Sequence, residues 1–168
     1  MKLKRQNIDI RMSGGEETID FSLITIQNED FVPIPTIRNI DSKIFPELLI
    51  TEDYIAVSSN GAHLCLSGLI SHVECGFVET LNGFASIYAN YVRENIFAVN
   101  MVGGNGDSGG SVFSYKQDMQ HVSLNGIVSS GHKNFVNGGV SGTVAVIAIS
   151  SILSSISNVI NITIVTTN

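Results

Sequence analysis

Apolar and polar residues alternate with period two along most of this chain, the spacing that sets one face of a β-strand against a core. Ile19-Asp20-Phe21-Ser22-Leu23-Ile24-Thr25-Ile26 alternates and then runs apolar, as a strand does. Phe31-Val32-Pro33-Ile34-Pro35 reads as an extended loop, because proline cannot donate into a ladder. Residues 38–53 read as a connector rich in charge and turn formers. Short strands are predicted at 54–58, 62–66, 73–79, 84–90, 96–102, 110–115, 122–129 and 143–149. Asn60-Gly61, Asn82-Gly83 and Asn137-Gly138-Gly139 supply turns between many of them. Only 149–158, through Ile149, Ile152, Leu153 and Ile156, has helical spacing. Strands so spaced, with no internal repeat, predict an all-β barrel or sandwich followed by one short helix.

Composition narrows the picture. A chain of 168 residues makes one domain, or two small halves sharing an interface. At 43% hydrophobic and 14% charged residues it can bury a core and is not disordered. A net charge of −6 without a basic patch argues against a nucleic-acid partner. Cys65 and Cys75 are too few for a zinc site, which takes four ligands. In an oxidising compartment they close a small disulfide loop. No metal and no cofactor are expected. The N-terminus, Met1-Lys2-Leu3-Lys4-Arg5, is charged but leads into no apolar segment, so this chain shows no signal peptide. Residues 143–165 carry no charge and are long enough to span a membrane, but five serines and two asparagines dilute them. A buried strand and a docked helix are expected there instead, with a C-terminal membrane anchor as the weaker alternative. Asn161-Ile162-Thr163 is a glycosylation sequon that matters only in a secreted chain.

The candidate chemistry lies at Gly104-Asn105-Gly106-Asp107-Ser108-Gly109-Gly110-Ser111, between two apolar stretches. Glycine reaches positive φ cheaply, so such a bend can aim backbone N–H groups in directions other residues resist. A nucleophilic serine needs an exposed hydroxyl and N–H donors placed where an oxyanion forms. By average residue usage, Gly-Asp-Ser-Gly-Gly starts at only about one position in a million, so an ordinary hairpin turn does not account for it.

Other segments accompany Ser108. They are Leu124-Asn125-Gly126-Ile127-Val128-Ser129-Ser130-Gly131, Cys65-Leu66-Ser67-Gly68, Cys75-Gly76-Phe77-Val78 and the strand around Asp20. In this order they resemble the chymotrypsin-like serine proteases, nearest the microbial, streptogrisin-like branch. There a Cys-x-Ser-Gly…Cys-Gly segment with nine residues between its cysteines precedes the Gly-Asp-Ser-Gly-Gly elbow, and nine separate Cys65 from Cys75 here. The resemblance spans roughly residues 18–155. It implies a chymotrypsin-like double β-barrel with the second barrel complete and the first partial. Residues 1–53 would be the remnant of the first barrel and the connector. Residues 54–168 would be the second barrel with its elbow, helix and tail. The resemblance makes Ser108 the nucleophile and gives the oxyanion hole to the N–H groups of Gly106 and Ser108. Asp107 is then a structural elbow aspartate, and Asp20 the acid that orients a histidine. Ser129, Ser130 and Gly131 would pair with substrate and wall its pocket, Ser130 standing where an aromatic residue is common. Val102, near the pocket base, carries no charge and points to a neutral, apolar P1 side chain. The implied partner is a polypeptide substrate or inhibitor, and the implied full-length protein is secreted; oligomeric state is not legible.

One part is missing. The family's general base is a histidine tens of residues before the triad aspartate, yet only 19 residues precede Asp20 and none is histidine. His63 and His72 flank the cysteine segment, His121 lies in a polar loop, and His132 follows the pocket strand. None stands in the base's context. The first expectation is therefore an incomplete piece of a secreted serine endopeptidase, nearly inert alone. The alternative is a pseudo-protease that binds peptide or protein without cutting it; the intact elbow counts against that.

Overall fold

The computed structural model describes residues 3–6, 19–26, 30–52, 54–88, 91–136 and 139–167. Ten strands and one helix follow in order: β1 Leu3–Gln6, β2 Leu23–Ile26, β3 Thr36–Arg38, β4 Glu47–Glu52, β5 His63–Ser67, β6 Val73–Tyr88, β7 Tyr91–Val99, β8 Ser111–Tyr115, β9 His121–Val136, β10 Gly139–Ala148 and α1 Ile149–Ile156. Eight of them form one sheet in the order β10-β7-β6-β5-β8-β9-β4-β3, and β10 also pairs with β9. That last pairing closes six strands, β5 to β10, into a barrel and removes their open edges. β1 and β2 make a separate two-stranded antiparallel ladder.

The period-two pattern explains how the barrel fills. Leu64 and Leu66, Phe97 and Val99, and Val144 and Val146 all point inward, where they meet Val78, Val112 and Val128. The alternate residues of β5 and β8, Cys65 and Phe113, point out and pack with Ile37, Leu48, Ile50 and Val122 in a second cluster. A third cluster joins Ile96 and Ile147 to Ile152 and Ile156 of α1, with Ile19, Phe21 and Leu23 packed against it. The stretch 143–165 therefore splits into strand, helix and returning tail, the tail tied by Thr167 N–H to Ile50 O at 2.7 Å. No described helix is long and apolar enough to cross a membrane.

Three local predictions differ from the structure. Asn82-Gly83 does not end a strand: β6 runs through it, and its register with β7 shifts between Thr80 and Gly83. The long antiparallel partner turns a turn signal into an irregularity within the ladder. Residues 54–58 join no ladder; Ile55 N–H reaches Leu124 O, at 3.1 Å, beside the shift in β8–β9 pairing. The segment read as a connector contains β4, which pairs in parallel with β9, Leu49 opposite His121. The Asn60-Gly61 turn is formed, with Gly61 at φ 79°. Asn137 and Gly138 of the third turn signal lie outside the described residues.

Leu48 on β4 has no exposed surface. Leu48→Ala is expected to cost about 2–5 kcal/mol in urea unfolding, the usual loss for a core leucine. A linker side chain would lose almost nothing.

Candidate active site

The segment 103–110 runs from the end of β7 to the start of β8 and turns twice. Asp107 N–H bonds Gly104 O at 3.1 Å, and Gly110 N–H bonds Asp107 O at 2.9 Å. Gly106 at φ 111° and Gly109 at φ 84° occupy the left-handed region that favours glycine. The turn is pinned to β9 by Gly109 N–H to Val128 O at 2.7 Å and Val128 N–H to Gly110 O at 2.9 Å. Between the two glycines stands Ser108, exposed. The N–H groups of Asp107, Gly109 and Gly110 are taken up internally, whereas those of Gly106 and Ser108 have no acceptor among the described residues.

Asp107 is 1% exposed. Ile70 N–H and Ser71 N–H donate to its Oδ1 at 2.8 and 3.1 Å, and Gly104 N–H donates to its Oδ2 at 2.6 Å. Burial pushes this carboxyl up, but the Ser71 side chain and the three N–H groups outweigh it and hold the pKa down at about 2. A Cβ on Gly68 would lie 2.3 Å from Asp107 Oδ1, so only glycine fits beside the carboxylate.

Asp20 is exposed, between Ile19 and Phe21, which pack on the third cluster. Its Oδ2 accepts a 3.0 Å hydrogen bond from Ser129 Oγ. Ser129 follows Val128, the residue bonded to the elbow. Thus β9 carries the elbow on one residue and Asp20 on the next, across 109 positions of sequence. Ser130 and Gly131 continue β9, paired with Ala145 and Val144 of β10.

An open cleft of about 290 Å³ lies at Ser108. Gly103, Gly104 and Asn105 line it from the elbow side, and Gly131, His132 and Lys133 from β9. Ser129, Ser130 and Val102 lie outside this lining, Val102 half-buried one residue before Gly103.

Each histidine has another neighbour, and none is bonded to Ser108 among the described residues. His63 meets the Phe77 ring edge-on at 5.3 Å. His72 Nδ1 lies 2.8 Å from Asp41 Oδ1, which holds the Asp41 carboxyl below its ordinary value. His121 pairs with Asp118, and His132 Nε2 lies 2.9 Å from Asn134 Oδ1. Cys65 and Cys75, directly opposite on β5 and β6, form a disulfide. The ring nitrogen of His63 and the two sulfurs lie within 4.8 Å of one another, but the sulfurs are spent on each other rather than on a metal. The Asp41–His72 pair and Lys133 in the cleft went unread in the sequence; Lys133, two residues beyond Gly131, was findable by strand alternation.

No protein-family model and no curated protein matches the chain. Solved structures do. A chymotrypsin from Cellulomonas bogoriensis superposes with a TM-score of 0.66 at 17% identity, over 92% of this chain and 73% of that one. Thermobifida fusca protease A does so with 0.62 at 17%, over 86% and 68%. A glutamic-acid-specific serine protease, described as using a histidine triad in substrate binding, gives 0.66 at 18%, over 96% and 72%. The chain has the chymotrypsin-like fold.

The elbow's dependence on Asp107 is measurable. Its folded pKa lies below the ordinary 3.8, so its stabilisation is present above about pH 4 and disappears as pH falls towards about 2. The gap corresponds to roughly 2 kcal/mol. The unfolding free energy of wild type, extrapolated from urea, should fall by about that amount more over this window than that of Asp107→Asn, which is destabilised already at pH 7. Asp118, also near about 2 through the His121 N–H, is common to both proteins and cancels.

Proposed function

We propose that this chain, with its chymotrypsin-like fold, carries the nucleophile, oxyanion hole and orienting acid of a serine endopeptidase. The observation that carries the reading is an exposed Ser108 whose own N–H and that of Gly106 have no acceptor among the described residues, while those of Asp107, Gly109 and Gly110 are taken up by the turn and by β9. Ser108 Oγ would attack the scissile carbonyl, and the two N–H groups would receive the negative charge that develops on its oxygen. Asp20, held by Ser129, would orient an imidazole and stabilise its protonated form. Ser130 and Gly131 would present β9 backbone to an extended polypeptide. The disulfide fits a secreted protein in an oxidising compartment.

The imidazole is not supplied by these 168 residues. No histidine precedes His63, none of the four is bonded to Ser108 among the described residues, and His132, which lines the cleft, is tied to Asn134. Without a base the serine is a weak nucleophile. That same observation favours the second reading, a pseudo-protease that binds peptide without cutting it. An exposed serine with its N–H donors left open favours the first, since binding alone needs no such hydroxyl.

A fluorophosphonate probe separates the two. The chain alone should label at Ser108 about 10⁶-fold more slowly than an intact serine protease, and Ser108→Ala should abolish the label. A chain extended upstream to include a histidine segment should label fast. Slow labelling that survives Ser108→Ala, or an extended chain that stays inert, would remove the protease reading.

A further inference from the structure

We infer that Lys133 makes the cleft beside Ser108 select an acidic side chain of a bound peptide. The inference rests on the reading of that cleft as the substrate site and names its substrate class.

Strand geometry places the lysine. In the β9–β10 ladder Gly131 pairs with Val144, His132 with Thr143 and Lys133 with Gly142. Directly paired residues share a face, and so do residues two apart, so Gly131, Lys133, Gly142 and Val144 belong to one face. That face looks onto the segment entering the elbow. The Val144 Cγ2 atom lies 3.0 Å from where a Cβ on Gly103 would sit, and a Cβ on Gly142 would lie 2.8 Å from Met101 O. Gly131 and Gly142 carry no side chain, so Lys133 contributes the charged group at this wall. His132 lines the cleft as well, its ring tied to Asn134 Oδ1 at 2.9 Å.

The rest of the lining leaves the ammonium uncompensated. Asp107, the other group with a full charge, has both oxygens taken up by N–H groups. Lys133 is exposed and has no acidic partner among the described residues. Only Val128 and Val144 offer branched apolar surface in the cleft, too little to reward a large hydrophobic side chain, and a basic one would meet Lys133. A carboxylate would meet the ammonium, with the Asn105 amide on the facing wall. The chain's net charge of −6 repels acidic peptides at long range, so the selection is local to this lysine. An exposed ion pair of this kind is worth about a two- to fivefold preference.

The test needs no general base. Acetylated, C-terminally amidated tetrapeptides differing only in a final Glu, Gln, Phe or Lys are titrated into the ¹⁵N-labelled 168-residue chain. The Glu peptide should bind about two- to fivefold tighter than the Gln peptide and shift the amides of Asn105, Gly131 and Lys133. The Lys peptide should bind weakest. Lys133→Gln should erase the Glu-over-Gln difference, and Lys133→Glu should turn the preference towards the Lys peptide. Gln or Phe peptides binding as tightly as Glu, or a preference that survives Lys133→Gln, would overturn the inference. If the peptides shift the Gly106 and Ser108 amides without favouring Glu, the substrate class falls and the protease reading stands. If none shifts those amides, both fall.

Discussion

The buried carboxylate of Asp107 is the constraint on which the site depends. A charge with 1% exposure is tolerated only when its lone pairs are met, and here three N–H groups and the Ser71 side chain meet them. Those donors come from two separate pieces of chain, the elbow itself at Gly104 and the β5–β6 connection at Ile70 and Ser71. Saturating one carboxylate therefore fixes the elbow against its neighbour. Gly68 is part of the same constraint, because any side chain there would displace the carboxylate. With the inner donors used on Asp107 and on the turn, the N–H groups of Gly106 and Ser108 are left without acceptors among the described residues.

β9 converts that local constraint into a site. It pairs with β4 and β8 over its first half and with β10 from Gly126 to Val136. Val128 anchors the elbow, Ser129 anchors Asp20, and Gly131 and Lys133 face the cleft. Consecutive residues of one strand point to opposite faces, which lets a single element hold the elbow, Asp20 and the cleft wall without crowding. The hydrophobic clusters on both sides of the barrel keep this strand in register, since a one-residue slip would exchange Val128 with Ser129.

The histidines show the converse. Each is satisfied by a nearby carboxylate, amide or ring, and this accounts for their presence without any catalytic role. The Asp41–His72 pair has the composition of a catalytic dyad, yet it ties the β3–β4 connection to the β5–β6 connection and its carboxylate is exposed. An aspartate beside an imidazole is chemistry only when the imidazole's second nitrogen meets a nucleophile.

The sequence by itself determined the features set by neighbours in the chain. Period-two apolar spacing foretold the β5, β8 and β10 strands, helical spacing foretold α1, and the glycine-bracketed Asp107-Ser108 pair marked the elbow. The cysteine pair was legible because its two strands are joined by a short connection. Tertiary structure alone decided the parallel pairing of β4 with β9, the passage of β6 through Asn82-Gly83 and the failure of 54–58 to find a ladder. Each depends on which distant strand supplies the hydrogen-bonding partner, and no local pattern encodes that choice. The same holds at the site: Asp20 could be read as a candidate acid, but its bond to Ser129 across 109 residues exists only once the barrel closes. Lys133 became part of the cleft for the same reason. Its face is set by pairing with β10, and what that face meets is set by the path of the elbow.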